Sequence, residues 1–218
     1  MKNTIAKKWL IVSLGLIVLA ALITMMTVTM INKPTSLTKG QVAALREKYP
    51  ICAEKIPASL SIRKPTLERV KEYSETFVYG KIEGEIETYY KTISTGNSQL
   101  DEKWAEHGIN GDSKFFRYNV RIISDSEDML ETDEEIQVWA NYIFADYYPR
   151  FFDGMEVVIP ISAITDNDGY PYNAVGSYYV TEDGFAISAF DEVQAQVAEG
   201  SGYSGLKVEE LLDNLKKI

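Results

Sequence analysis

Apolar and polar positions divide the chain into regimes with different periods. Trp9–Ile31 is apolar throughout: 23 residues with no charge, Pro, Asn or Gln, between Lys7-Lys8 and Asn32-Lys33-Pro34. As a helix rising about 1.5 Å per residue, this run spans about 35 Å, enough to cross a hydrocarbon core of about 30 Å. Downstream, apolar residues recur at helical spacing as far as Tyr73. From Thr76 to Phe190 they alternate with period two, and the last residues are helical again.

The first helical stretch opens with Thr38-x-x-Gln41, a capping box, and is predicted to end near Tyr49, before Pro50. A second short helix is expected over residues 65–73, with Pro65 in its first turn and Leu67 and Val70 facing inward. In the strand Thr76–Tyr90, Val78, Gly80, Ile82, Gly84 and Ile86 share one face, and Tyr79, Lys81, Glu83, Glu85 and Glu87 the other. Glycines on the inner face predict a strand that coils sharply, as at a barrel corner.

Residues 92–113 read as a loop with one helical turn. Lys114–Ile123 sets Phe116, Tyr118, Val120 and Ile122 against Phe115, Arg117, Asn119 and Arg121. Ile136, Val138, Ala140 and Tyr142 mark a third strand, and Met155–Ala163 a central one in which Pro160 demands a bulge or an unpaired position. A hairpin is expected around Asp183-Gly184. In the final helix Leu206, Val208, Leu211, Leu212, Leu215 and Ile218 share a face; Lys207 is a poor cap, so this helix must lean on packing.

The predicted fold class is mainly β with flanking short helices (α+β). It is a small antiparallel barrel of about five to six strands, like an oligonucleotide/oligosaccharide-binding (OB) fold, behind one transmembrane helix. The domains follow: 1–8 a cytoplasmic tail, 9–31 a signal anchor, 32–37 a linker, and 38–218 one extracytoplasmic domain. That domain divides into a helical lead-in (38–75), a barrel (76–190) and a C-terminal helical segment (191–218).

Charge sets the orientation. Lys2, Lys7 and Lys8 precede the span with no acid among them, so the positive-inside rule places the N-terminus in the cytoplasm and residues 32–218 outside. The competing reading is a cleaved signal peptide. Its apolar core is shorter, about 7–15 residues, and ends at a small-x-small site that Thr27–Asn32 does not offer. Without the three lysines of the tail, 19 Lys and Arg face 32 acids, a net charge of about −13. Such a surface argues against nucleic acid as a partner, because nucleic-acid binding needs a basic footprint. The single cysteine, Cys52, permits no internal disulfide and is expected to be a buried small apolar residue. A disulfide-free ectodomain behind a lysine-flanked anchor points to a Gram-positive bacterium.

Candidate chemistry is sparse. One His (His107) and one Cys exclude the usual zinc sites, and Gly202-Tyr203-Ser204-Gly205 does not complete a G-x-S-x-G elbow. Asp166-Asn167-Asp168-Gly169 clusters oxygen ligands, with Asp166 and Asp168 as metal candidates, but it fits no EF-hand because Ile164 and Val175 fall at ligand positions. It reads equally as an Asx turn. The acids between Asp125 and Glu135 form a solvated hairpin connection. No cofactor is expected.

Three tyrosine doublets stand out: Tyr89-Tyr90, Tyr147-Tyr148 and Tyr178-Tyr179. Neighbours on a strand face opposite ways, so each doublet should place one ring in the core and one outside. Tyr89, Tyr147 and Tyr178 are therefore the candidate ligand-binding residues, able to stack on a glycan or grip a peptide.

The series TFVYGKIEGEIETYY, FFRYNVRI, EIQVWANYI, FFDGMEVVIPI and YYVTEDGFAISAF resembles a group of membrane-anchored extracytoplasmic OB-like β-barrel proteins of Firmicutes. The likeness covers about residues 70–191. It implies a fold and an envelope location and transfers no catalytic residue. The reading that follows is a membrane-tethered, non-enzymatic binding module with a lipid contact through residues 9–31 and a protein or glycan partner. The alternatives are an envelope enzyme acting on glycan or peptide through acidic residues, and an accessory subunit of a membrane complex.

Overall fold

The computed structural model describes residues 35–52, 66–92, 98–106, 112–162, 169–190 and 203–218. Ser36–Ile218 forms one compact unit. Trp9–Ile31 lies outside the described residues, among which no helix is long and apolar enough to cross a membrane.

Seven strands form one sheet: β1 (Thr76–Thr92), β2 (Asp112–Asp125), β3 (Glu135–Asn141), β4 (Glu156–Ile161), β5 (Tyr170–Pro171), β6 (Tyr178–Val180) and β7 (Ala186–Ser188). Their order is β5-β3-β2-β1-β4-β6-β7. All neighbours are antiparallel except β3 and β5, which are parallel. The mainly β character with short helices is as expected, but the barrel is not. The sheet is mixed, and β5 and β7 remain its two open ends. With two and three residues they offer little ladder for closure.

What replaces closure is a sheet covered on both faces at its β1–β4–β6–β7 half. Val78 and Ile82 of β1, Val157, Ile159 and Ile161 of β4, Tyr179 and Ile187 face one core, against which Leu37, Val42, Leu45 and Cys52 of the N-terminal segment pack. Phe77, Val158, Tyr178, Val180 and Ala186 point the other way, into a core closed by α2 (Leu67–Tyr73) and α4 (Val208–Lys217). The helix preceding these, α1 (Lys39–Ala44), has the anticipated capping box between Thr38 and Gln41, but it ends five residues before Tyr49. In α2, Leu67 and Val70 are buried as expected, and Thr66 caps the helix. In α4, Lys207 makes no side-chain cap, while Val208, Leu211, Leu212 and Leu215 are buried. Full burial is worth about 1.5–3 kcal/mol for each large aliphatic side chain, more than the missing cap costs.

Burial on both faces explains a second departure. Tyr178 and Tyr179 are 1% and 2% exposed, so neither ring is outside. Tyr178 packs beneath α4 and Tyr179 joins the opposite core. Tyr178 is thus a core residue and is withdrawn as a binding residue.

β1 coils where the glycines predicted. Opposite Gly80 the strands approach so closely that a Cβ would lie 2.5 Å from Val120 Cγ1 and 2.7 Å from the Arg121 carbonyl oxygen. Between Glu83↔Asn119 and Glu87↔Arg117, β1 uses four steps where β2 uses two, and Gly84 at φ +77° makes this bulge. At the bulge Ile86 is 47% exposed instead of buried on the inner face. Pro160 is tolerated because it faces Phe77 of β1 beyond the short β6 ladder, which engages only Val157 and Val158. Residues 92–113, expected to hold one turn, contain the nine-residue helix α3 (Ser98–Glu106).

Candidate functional site

Beyond Ile82 the sheet narrows to β1, β2 and β3, with the two-residue β5 beside β3, and here its two faces differ. Thr88 lies opposite Phe116, and Tyr118, Val120, Val138 and Ala140 continue that inner face. The reverse face carries Glu83, Glu87, Tyr89 and Lys91 from β1, Phe115, Arg117, Asn119 and Arg121 from β2, and Glu135, Gln137 and Trp139 from β3. Strand alternation selects these residues, and register decides which of them meet.

Three rings cross the strands in a row. Tyr89 stacks on Phe115, with ring centroids 5.6 Å apart and an interplanar angle of 28°. Phe115 meets Trp139 edge-on at 5.4 Å and 88°. Cations border the row: the Arg117 guanidinium lies 5.2 Å from the Tyr89 ring centre, and Lys91 Nζ 5.8 Å from that of Trp139. Trp139 Nε1 donates to the Gly169 carbonyl oxygen at 3.1 Å. Gly169, at φ +91°, is wedged so tightly against β3 that a Cβ would lie 2.3 Å from the Gln137 carbonyl oxygen. Tyr89 and Trp139 are half-buried, and Phe115 between them is buried.

A polar chain runs alongside. Arg117 donates to Glu87 Oε2 at 2.8 Å and to Gln137 Oε1 at 3.1 Å, and Gln137 Nε2 donates to Asn119 Oδ1 at 3.3 Å. Next to it, Arg121 grips Glu83 through two bonds of 2.5 and 2.7 Å. The Arg121 guanidinium holds the Glu83 carboxyl below its usual range. Two other carboxyls are also shifted downward: Asp125, by hydrogen bonds that outweigh its burial, and Glu182, by Lys48. Downward shifts fix carboxylates as anions; a general acid needs the opposite direction. Among the described residues, no three His, Cys, Asp or Glu side chains gather as a metal would require.

Of the candidates from sequence, Tyr89 belongs to this row. Tyr147 is half-buried at the end of a 3-10 helix (Tyr142–Tyr147), and no ring contact of the row involves it. Asp166 and Asp168 lie outside the described residues. The acids after β2 serve structure: Asp125 accepts from Thr76 and three backbone N–H groups, Glu127 pairs with Lys71 of α2, and Asp128 with Lys216 of α4. Cys52, expected to be buried, is half-buried and packs against the larger core. Its thiol donates to the Ala189 carbonyl oxygen at 2.7 Å, and burial pushes its pKa up to about 12. Phe115, Arg117, Gln137 and Trp139 were not singled out in the sequence, although alternation already puts Phe115 and Arg117 on the outer face of β2.

Compared with protein-family models, with curated proteins and with solved structures, the chain matches none.

Proposed function

We propose that this protein is a membrane-tethered, extracytoplasmic binding module of a bacterial envelope, and that it holds a glycan on the outer face of β1–β2–β3. The observation that carries the reading is the Tyr89–Phe115–Trp139 row lying beside Glu87, Arg117, Asn119 and Gln137. A sugar ring presents flat patches of C–H and a rim of hydroxyls. Aromatic faces take the former, and planar amide, carboxylate and guanidinium groups take the latter. The strands set these groups in advance, so little ordering cost falls on binding. Tethering rests on Trp9–Ile31, whose length and lack of charge fit a single span.

The test is a titration of the full-length protein, in nanodiscs, with soluble peptidoglycan fragments, followed by tryptophan fluorescence. Trp139→Ala is expected to weaken binding at least tenfold, the loss of a central aromatic contact. Equal affinity of wild type and variant, or no glycan binding by either, would sink the reading.

A further inference from the structure

The row of rings stops at Tyr89, on a stretch of β1 that among the described residues only β2 pairs with. The ladder between β1 and β4 ends at Lys81↔Glu156, while β1 continues along β2 to Thr92. Ile82 donates its N–H to Met155 and accepts from Gly154, so the even-numbered residues of β1 direct their backbone groups toward β4. Phe77 accepts from Ser126, so the odd-numbered ones face β2. The bulge adds two residues and preserves this parity. Ile122 exchanges bonds with Asp133 and Glu134 on the β3 side, which leaves Phe115 and Arg117 facing β1 and agrees with that assignment. Thr88, Tyr90 and Thr92 therefore aim their N–H and C=O groups away from β2. Among the described residues no strand receives them. Thr88 and Glu87 are exposed, and Tyr90 is 72% exposed. Such an edge is a template for another strand.

We propose that a second copy of this chain occupies it, antiparallel, about a two-fold axis through Tyr89. In that register Thr88 faces Tyr90 of the second copy twice, so outward-directed backbone groups meet outward-directed groups. Glu87 then faces Lys91 of the second copy, also twice, pairing opposite charges across the interface. Moving the axis to Thr88 puts Glu87 opposite Tyr89, and moving it to Tyr90 puts Lys91 opposite Tyr89. Only the axis at Tyr89 sets Glu87 and Lys91 opposite each other, an attraction across the interface that adds to the pair Glu87 already makes with Arg117 in its own chain. It also brings the two Tyr89 rings together, joining two rows of three into one six-ring stripe across a continuous sheet. A two-fold contact of this kind is closed and self-limiting. The pairing does not depend on what ligand the stripe takes.

The register is tested by cross-linking full-length protein in nanodiscs that hold two copies. A two-fold at Tyr89 makes it a non-hydrogen-bonded pair with Cα atoms about 4.5 Å apart, within disulfide range. Tyr89→Cys should double in mass on mild oxidation. Thr88→Cys should not, and neither should wild type, whose single thiol, Cys52, is half-buried and hydrogen-bonded to Ala189. In sedimentation, Tyr90→Pro should abolish the dimer while keeping the native circular dichroism, because the N–H it removes points away from β2. Lys91→Glu, which sets two carboxylates opposite each other twice and leaves the Glu87–Arg117 pair in place, should weaken the dimer about tenfold. A wild type that stays monomeric, a dimer untouched by Tyr90→Pro, or one as tight in Lys91→Glu as in wild type would overturn the proposal.

Discussion

Tyr172 carries a buried hydroxyl with no hydrogen-bond partner among the described residues. Its ring sits within a cluster of Phe116, Tyr118, Tyr148 and Phe151, with centroids 5.1–6.4 Å away. Burial pushes its ionisation far above the ordinary phenol range. The ring is valuable there and the hydroxyl is a desolvation cost. Tyr172→Phe is expected to stabilise the protein by about 1 kcal/mol, read as a higher denaturant midpoint at unchanged slope. A lower midpoint would mean that the hydroxyl is held after all. Asp125 is the opposite case. Burial raises its pKa, but hydrogen bonds from Leu130, Thr76, Glu127 and Met129 outweigh this and leave it lowered. A carboxyl whose folded pKa lies below its unfolded value of about 3.9 stabilises fully above that value, and its contribution is lost as pH falls through the folded one. Asp125→Asn should therefore cost about 2 kcal/mol at neutral pH and much less in strong acid. A cost that stays constant from pH 7 to pH 2 would contradict this role.

Among the elements, β1 shows how one strand serves two environments. Five of its first seven residues are buried, and its last ten are half-buried or exposed. The two glycines at the change act by different physics. Gly80 gives room, because a Cβ would overlap Val120 and the backbone of Arg121. Gly84 gives conformation, because it sits at φ +77° with nothing within 4 Å of an added Cβ. Gly84→Ala should cost about 1 kcal/mol, the strain of a left-handed residue. Gly80→Ala should cost at least about 3 kcal/mol, since two packed strands must separate. Urea midpoints of the two variants decide it, and equal losses would refute the distinction.

At the scale of the whole molecule, the functional reading joins an apolar segment to a sheet domain, and orientation is what connects them. The proposed orientation puts the N-terminus in the cytoplasm and residues 32–218 outside. Protease added to intact cells or spheroplasts should then degrade this domain, or reach it after mild heating, while cytoplasmic markers survive. Complete protection that ends only on lysis would reverse the orientation.

Much of the architecture was legible from periodicity alone. Strand and helix existence, the Thr38–Gln41 capping box, the hairpin at Gly184 and the buried stripe of α4 all follow from local spacing, because each depends on residues only a few positions apart. Closure was misread because period two shows which side chains share a face and is silent on which edges meet; that depends on strand order and on what covers each face. The doublet rule failed at Tyr178 for the same reason: alternation separates two rings but does not say that both sides are covered. Of the candidate site, alternation marked Tyr89 and placed Phe115 and Arg117 outward. Only register, set by a two-residue bulge, brought Tyr89 beside Phe115 and Trp139 beyond it. By itself the sequence determined the local elements, the acidic charge and the apolar segment. Tertiary structure decided the open sheet, the row of rings and the side of β1 beyond Lys81 that no described strand joins, because these depend on residues distant along the chain.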